Sequence, residues 1–179
     1  MSAVIVVKGK NKFVIGHDSC VMEEYEDGHS AILSRASVRK LAVWPSFAIG
    51  YAGDVRIPHW IAKQRPLHKI EDIARWTLMP NWYSGCKLVV MFPNGQMYRG
   101  QRHWDLSLRR IEVTPVKSHC DVGCWYGSRG YPEATEGAMR KALERGRAHC
   151  VRPPFRTYTL PFGKEFPPPY GPRGYTICW

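Results

Sequence analysis

Ser2-Ala3-Val4-Ile5-Val6-Val7, followed after Gly9-Lys10-Asn11 by Phe13-Val14-Ile15-Gly16-His17-Asp18-Ser19, is the stretch on which the fold turns. Runs of β-branched and apolar residues on either side of a Gly/Asn turn predict a hairpin, residues 3–7 against 13–16. Neither run alternates apolar with polar, so both faces of each strand need cover. Strands covered on both faces belong inside a layered structure.

Working outward, residues 37–43 and 47–51 predict a second hairpin around Pro45-Ser46. Residues 87–92 and 96–100 predict a third around Pro93-Asn94-Gly95, where Asn-Gly is the strongest short hairpin signal in the chain. Residues 111–116 and 121–126 add two strands. Residues 23–34 are polar, with Asp27-Gly28 as a turn, and read as a loop. Helical spacing links Ile57, Trp60 and Ile61, then Ile70, Ile73, Ala74 and Thr77, and finally Ala134, Ala138, Met139 and Ala142 in a helix over 133–145 that ends at Gly146. The order predicts an α+β fold in which helices cover stacked antiparallel sheets.

The chain has 179 residues, enough for one ordinary domain. Its 44% apolar and 23% charged residues exclude a disordered chain. No apolar run approaches the roughly 20 residues that span a bilayer, and the apolar N-terminal run has no basic leader. A cytoplasmic protein without membrane contact is therefore expected. Twenty-six Lys+Arg against 15 Asp+Glu give +11, which admits an anionic partner. Tyr98-Arg99 and Arg173-Gly174-Tyr175 set aromatics beside cations, yet no nucleic-acid motif accompanies them, so nucleic acid ranks below a protein partner. His119-Cys120, Cys124 and His149-Cys150 could be drawn as a metal site, but Cys-x-x-x-Cys is not a zinc spacing. Buried reduced thiols are the better reading, and neither metal nor cofactor is expected. Residues 151–179 differ from the rest: Pro153, Pro154, Pro161, Pro167, Pro168, Pro169 and Pro172 exclude a regular helix. One strand at 155–160 and an otherwise extended arm are expected, the arm packing on its own domain or a neighbour, with Phe166, Tyr170, Tyr175 and Trp179 pointing to self-association.

Four signals follow one another in order: the opening hairpin, Val38-Arg39-Lys40-Leu41, Phe47-Ala48-Ile49-Gly50-Tyr51-Ala52-Gly53-Asp54, and Gly127-Ser128-Arg129-Gly130 ahead of a helix. Together they make the chain, from about Ser2 to Arg145, resemble the β-subunits of proteasomes and the bacterial HslV-type peptidases, the N-terminal-nucleophile hydrolases. The resemblance implies a four-layer αββα sandwich over residues 1–150, with 151–179 as an arm. It also implies a nucleophile at the first residue of the mature chain, whose own α-amine, titrating near pH 7.7–8.0, acts as base. Removal of Met1 would make Ser2 that residue. Asp18 matches the family's strand-end Asp and Ser128 its turn serine.

Two departures accompany these matches. The family carries a Lys at the start of the third strand, and the alignment puts Ser37 there, with Arg35 and Arg39 on its strand face as candidate replacements. A second long helix and a later carboxylate have no counterpart after Arg147. The departures favour a catalytically degenerate subunit, self-associating in a ring or shell such as a viral particle and meeting other subunits through the arm. The alternative is an active N-terminal serine peptidase or amidase using Ser2.

Overall fold

The structure is a computed structural model that describes residues 3–24, 30–37, 39–53, 57–76, 87–102, 111–123, 130–146 and 151–167, with backbone alone at 21–24, 30–37, 58, 59, 62, 74 and 102. The strands are β1 (Ala3–Lys8), β2 (Lys12–Asp18), β3 (Cys20–Glu24), β4 (Ser30–Ser37), β5 (Leu41–Val43), β6 (Ala48–Ala52), β7 (Lys87–Met91), β8 (Met97–Arg102), β9 (Ile111–Pro115), β10 (His119–Gly123) and β11 (Phe155–Pro161). Helices α1 (Ile57–Ala62) and α2 (Glu136–Gly146) and a 3-10 helix over Ile70–Arg75 complete the described elements.

One sheet has the order β10-β1-β2-β11, and a second runs β5-β6-β7-β8-β9; β3 and β4 form a separate ribbon. All of the described pairings are antiparallel, with Val6 opposite Ile15 in the opening hairpin and Ile15 opposite Tyr158 at β11. Three apolar interfaces divide four layers. Val4, Val6, Phe13 and Ile15 meet Leu41, Val43, Val89 and Met91 between the sheets. Ala3, Ile5, Val7 and Val14 turn the other way onto Met139 and Leu143 of α2. On the far side, Ile49, Tyr51, Leu88 and Val90 are covered by Ile57, Trp60, Ile61, Leu67 and Trp76. Both faces of β1 are thus buried, which is what its unbroken apolar run requires. Burying such side chains stabilises by roughly 1.5–3 kcal/mol each. The αββα sandwich expected from the sequence is the observed fold.

The two sheets approach closely at Gly50. A Cβ there would stand 2.8 Å from both Val4 Cγ1 and Val89 Cγ1, too near for either β-branched side chain to yield. The hairpin turns gather at one end. Gly95 takes the left-handed backbone its turn requires, at φ 84°, and Asn94 Oδ1 accepts from Gln96 N at 2.9 Å. The segment after β11 crosses these turns. Phe162 N donates to Asn11 O (2.9 Å), Gly163 N to Pro93 O (3.0 Å) and Phe166 N to Pro45 O (2.8 Å). The Phe162 and Phe166 rings meet Phe13 edge-on at 4.9 and 6.4 Å.

Some local expectations are revised. Residues 23–34, read as a loop, contribute to β3 and β4, whose register shifts between Cys20 and Met22. A two-stranded ribbon is held by its backbone ladder, so its polar sequence gave no apolar signal. Residues 37–43 are not one strand: β4 ends at Ser37 and β5 begins at Leu41. In the arm, β11 is an integral strand, and Phe166 is 3% exposed within the inter-sheet core of its own chain. Tyr170, Tyr175 and Trp179 lie outside the described residues. No helix among the described residues is long and apolar enough to cross a membrane.

Candidate functional site

Opposite the turns, the antiparallel pairing of β1 and β2 brings the first residue of one strand beside the last of the other. Asp18 is fully buried there, and its Oδ1 accepts from Ala3 N at 2.8 Å. The same oxygen takes the Lys40 ammonium at 2.8 Å, with the two side chains 0% and 5% exposed. Lys40 Nζ also donates to Cys20 O at 3.2 Å. Asp18 Oδ2 is buried with no hydrogen-bond partner. Burial pulls the Lys40 ammonium below the usual lysine range, and the Asp18 carboxylate opposes that pull. Burial and the same carboxylate push the Cys20 thiol upward.

Lys40 is held from behind. Tyr51 N donates to Lys40 O at 3.1 Å, and the Tyr51 hydroxyl donates to Arg39 O. The Arg39 guanidinium lies 5.8 Å from the centre of the Tyr158 ring. His17, next to Asp18, is fully buried and stacks on the same Tyr158 ring, at 5.6 Å and 18°. Its Nδ1 lies 2.9 Å from Asp18 O. A carbonyl oxygen only accepts, so Nδ1 carries the proton and Nε2 is a bare acceptor. Burial drives this imidazole down to about 3, with the Asp18 carbonyl opposing and Lys40, Arg156 and Arg39 assisting. Ser19 Oγ is 3.4 Å from the same Nδ1. Because that nitrogen is already a donor, His17 cannot serve Ser19 as a base.

Of the sequence-derived candidates, Asp18 therefore sits in a buried polar centre at the start of β1. Ser2 and Ser128 lie outside the described residues, as do the side chains of Arg35 and Ser37. Arg39 is turned onto Tyr158. The cation beside Asp18 is Lys40, a residue the sequence reading passed over. The alignment treated residues 37–43 as one continuous strand, whereas the break between β4 and β5 lets Lys40 turn inward by itself. A usable signal was present: of the adjacent cations Arg39 and Lys40, Lys40 is the one that abuts the apolar run Leu41-Ala42-Val43. Gly123 pairs with Ala3 at this end of β10. Cys124, His149 and Cys150 are outside the described residues, and among the described ones no group of three His, Cys, Asp or Glu is placed to hold a metal ion.

No family model matches the sequence, and no curated protein matches it. Solved structures do. BPH of Thiobacillus denitrificans, in complex with epoxomicin, superposes with a TM-score of 0.59 at 10% identity over 90% of this chain and 99% of that one. Anbu, an ancestral β-subunit, from Yersinia bercovieri gives 0.57 at 11% identity over 89% and 81%. A Gly-1 mutant of Anbu from Hyphomicrobium sp. strain MC1 gives 0.54 at 8% identity over 91% and 84%. At these identities the likeness is one of fold: the chain shares the fold of BPH and of the Anbu β-subunit.

Proposed function

We propose that this protein is an N-terminal-nucleophile amide hydrolase in which the Asp18–Lys40 pair serves Ser2 once removal of what precedes it frees the serine amine. One observation carries the reading: a buried carboxylate holds both a buried ammonium and Ala3 N, the nitrogen to which residue 2 is bonded, each at 2.8 Å. A lysine is costly to bury, and Asp18 keeps it charged where an N-terminal nucleophile needs a cation.

In this mechanism the Ser2 α-amine takes the proton from Oγ as Oγ attacks the amide carbonyl. The Lys40 ammonium lowers the basicity of that amine enough to leave it unprotonated near neutrality, and it stabilises negative charge developing on the adduct. The ammonium formed on Ser2 returns its proton to the departing amine as the C–N bond breaks, leaving an ester on Oγ. Water, deprotonated by the same amine, then hydrolyses the ester. Asp18 Oδ2 is the acceptor left for the Ser2 amine, and Ser128 supplies a further hydroxyl. Association with further copies of the chain accompanies this reading, as the resemblance implies.

A β-lactone probe tests it. Attack by Oγ opens the ring, so the adduct gains the whole mass of the probe. Protein whose intact mass shows Ser2 at its start should take one equivalent, and Ser2→Ala none. If such protein stays unlabelled and cleaves no amide, the degenerate structural subunit is the correct reading.

A further inference from the structure

Behind Asp18 lies a set of polar contacts that the hydrolytic steps do not use. The carbonyl of Asp18 and the N–H of Ser19 belong to one peptide unit, and both of its poles are held. His17 Nδ1 donates to the carbonyl at 2.9 Å, and Ser19 N donates to Pro154 O at 2.8 Å. Arg156 Nε donates to Ser19 Oγ at 3.2 Å. At this point β2 is ending, and Asp18 is the last residue paired with β11, opposite Phe155. Without such contacts the plane that sets the direction of the Asp18 side chain would be free to turn.

The same strand reaches the other member of the pair. Tyr158 lies two residues beyond Arg156 on the same strand face. It stacks on His17 and lies beneath Arg39, the residue before Lys40. Asp18 and Lys40 are therefore both backed by β11.

We propose that His17 and Arg156 are positioning residues for Asp18, and that β11 is the brace that aligns the Asp18–Lys40 pair. The inference rests on the function proposed above for its kinetic consequence, though not for its geometry. A carboxylate turned even slightly would point the ammonium away from the residue it serves, and small misplacements in such sites are costly in rate.

The experiment uses the full chain in four variants, His17→Leu, His17→Asn, Arg156→Met and Arg156→Lys, with two readouts. One is the rate of β-lactone labelling; the other is the Lys40 15Nζ resonance, which reports the ion pair whether or not Ser2 reacts. His17→Leu and Arg156→Met should each slow labelling about 10–100-fold, the usual scale for residues that orient a reacting group. Both should shift the Lys40 resonance. His17→Asn places an amide N–H near the position of Nδ1, and Arg156→Lys keeps a donor, so both should restore rate and resonance. Native rates and an unmoved resonance in the Leu and Met variants would overturn the proposal. So would an Asn variant as impaired as Leu, which would assign the effect to ring packing. Should His17→Leu not fold, the exposed Arg156 carries the test. If native protein takes no label, the hydrolase reading fails, and the Lys40 resonance still decides whether β11 braces the pair.

Discussion

At one end of the sandwich the chain reverses at 9–11, 44–47, 92–96 and 116–118 through backbone geometry and apolar cover. At the other, Ala3, Asp18, Ser19, Lys40 and Arg156 converge from separate segments onto one buried carboxylate and its surroundings. The turn end is strapped by three backbone hydrogen bonds from 162–166 and two phenylalanine rings. Its contacts are interchangeable in kind, and the loss of one leaves no charge stranded. The charged end lacks that tolerance, because the buried Asp18 carboxylate and the buried Lys40 ammonium each depend on the other. Stability should therefore be distributed over both ends, and reactivity confined to one.

Lys40→Met should produce the largest effect. It leaves Asp18 buried without its cation, at a cost of about 3–5 kcal/mol, and it should abolish labelling. Urea unfolding reads the first and intact mass the second. Adding Asp18→Asn to Lys40→Met should recover most of the stability without recovering reactivity; a double variant as unstable as the single one would show that the strain lies elsewhere.

Phe166→Ala should be next, at about 3 kcal/mol from the lost apolar burial and the cavity left beside Phe13. Its labelling rate should remain native once the protein is held below its unfolding midpoint. A large fall in rate at full occupancy of the folded state would mean the two ends are coupled.

The third effect depends on pH. His17 is held near 3 in the folded chain against 6.5 in the unfolded one, so between those values the unfolded chain binds the extra proton. The stability at stake is fully present above 6.5 and is lost as pH falls toward 3, at about 1.4 kcal/mol per pH unit. At pH 5 the protein should be roughly 2 kcal/mol less stable than at pH 7 on this account. His17→Asn should flatten that limb in paired urea titrations, and a limb equally steep in the variant would assign it to other groups.

The same contrast governs what could be read from the sequence. Asn94-Gly95 and Gly9-Lys10-Asn11 announce turns because local backbone geometry demands those residues. The apolar runs of β1 and β2 announce burial on both faces because their neighbours in sequence are their neighbours on the strand. The site offered less. Asp18 was singled out through the resemblance, whose pattern has an Asp at that strand end, but Lys40 was hidden by a break between strands. Arg156 meets Ser19 across 137 residues, a contact that neither spacing nor composition can encode. Within the proline-rich 151–179 a strand was legible, since Phe155-Arg156-Thr157-Tyr158-Thr159-Leu160 is a short ordinary run between prolines, but its pairing with β2 was not.

The position of β11 in the chain also sets a timetable. Synthesis at about 5–20 residues per second separates Ser19 from Arg156 by on the order of ten seconds. Throughout that interval β1 and β2 exist as chain, while the strand that backs Asp18 does not. Sheet pairings that span so many residues form late in any case, because the closure entropy must be met first. A nascent or truncated chain ending before Pro154 would carry the serine, the carboxylate and the lysine, and would still lack the strand that aligns them.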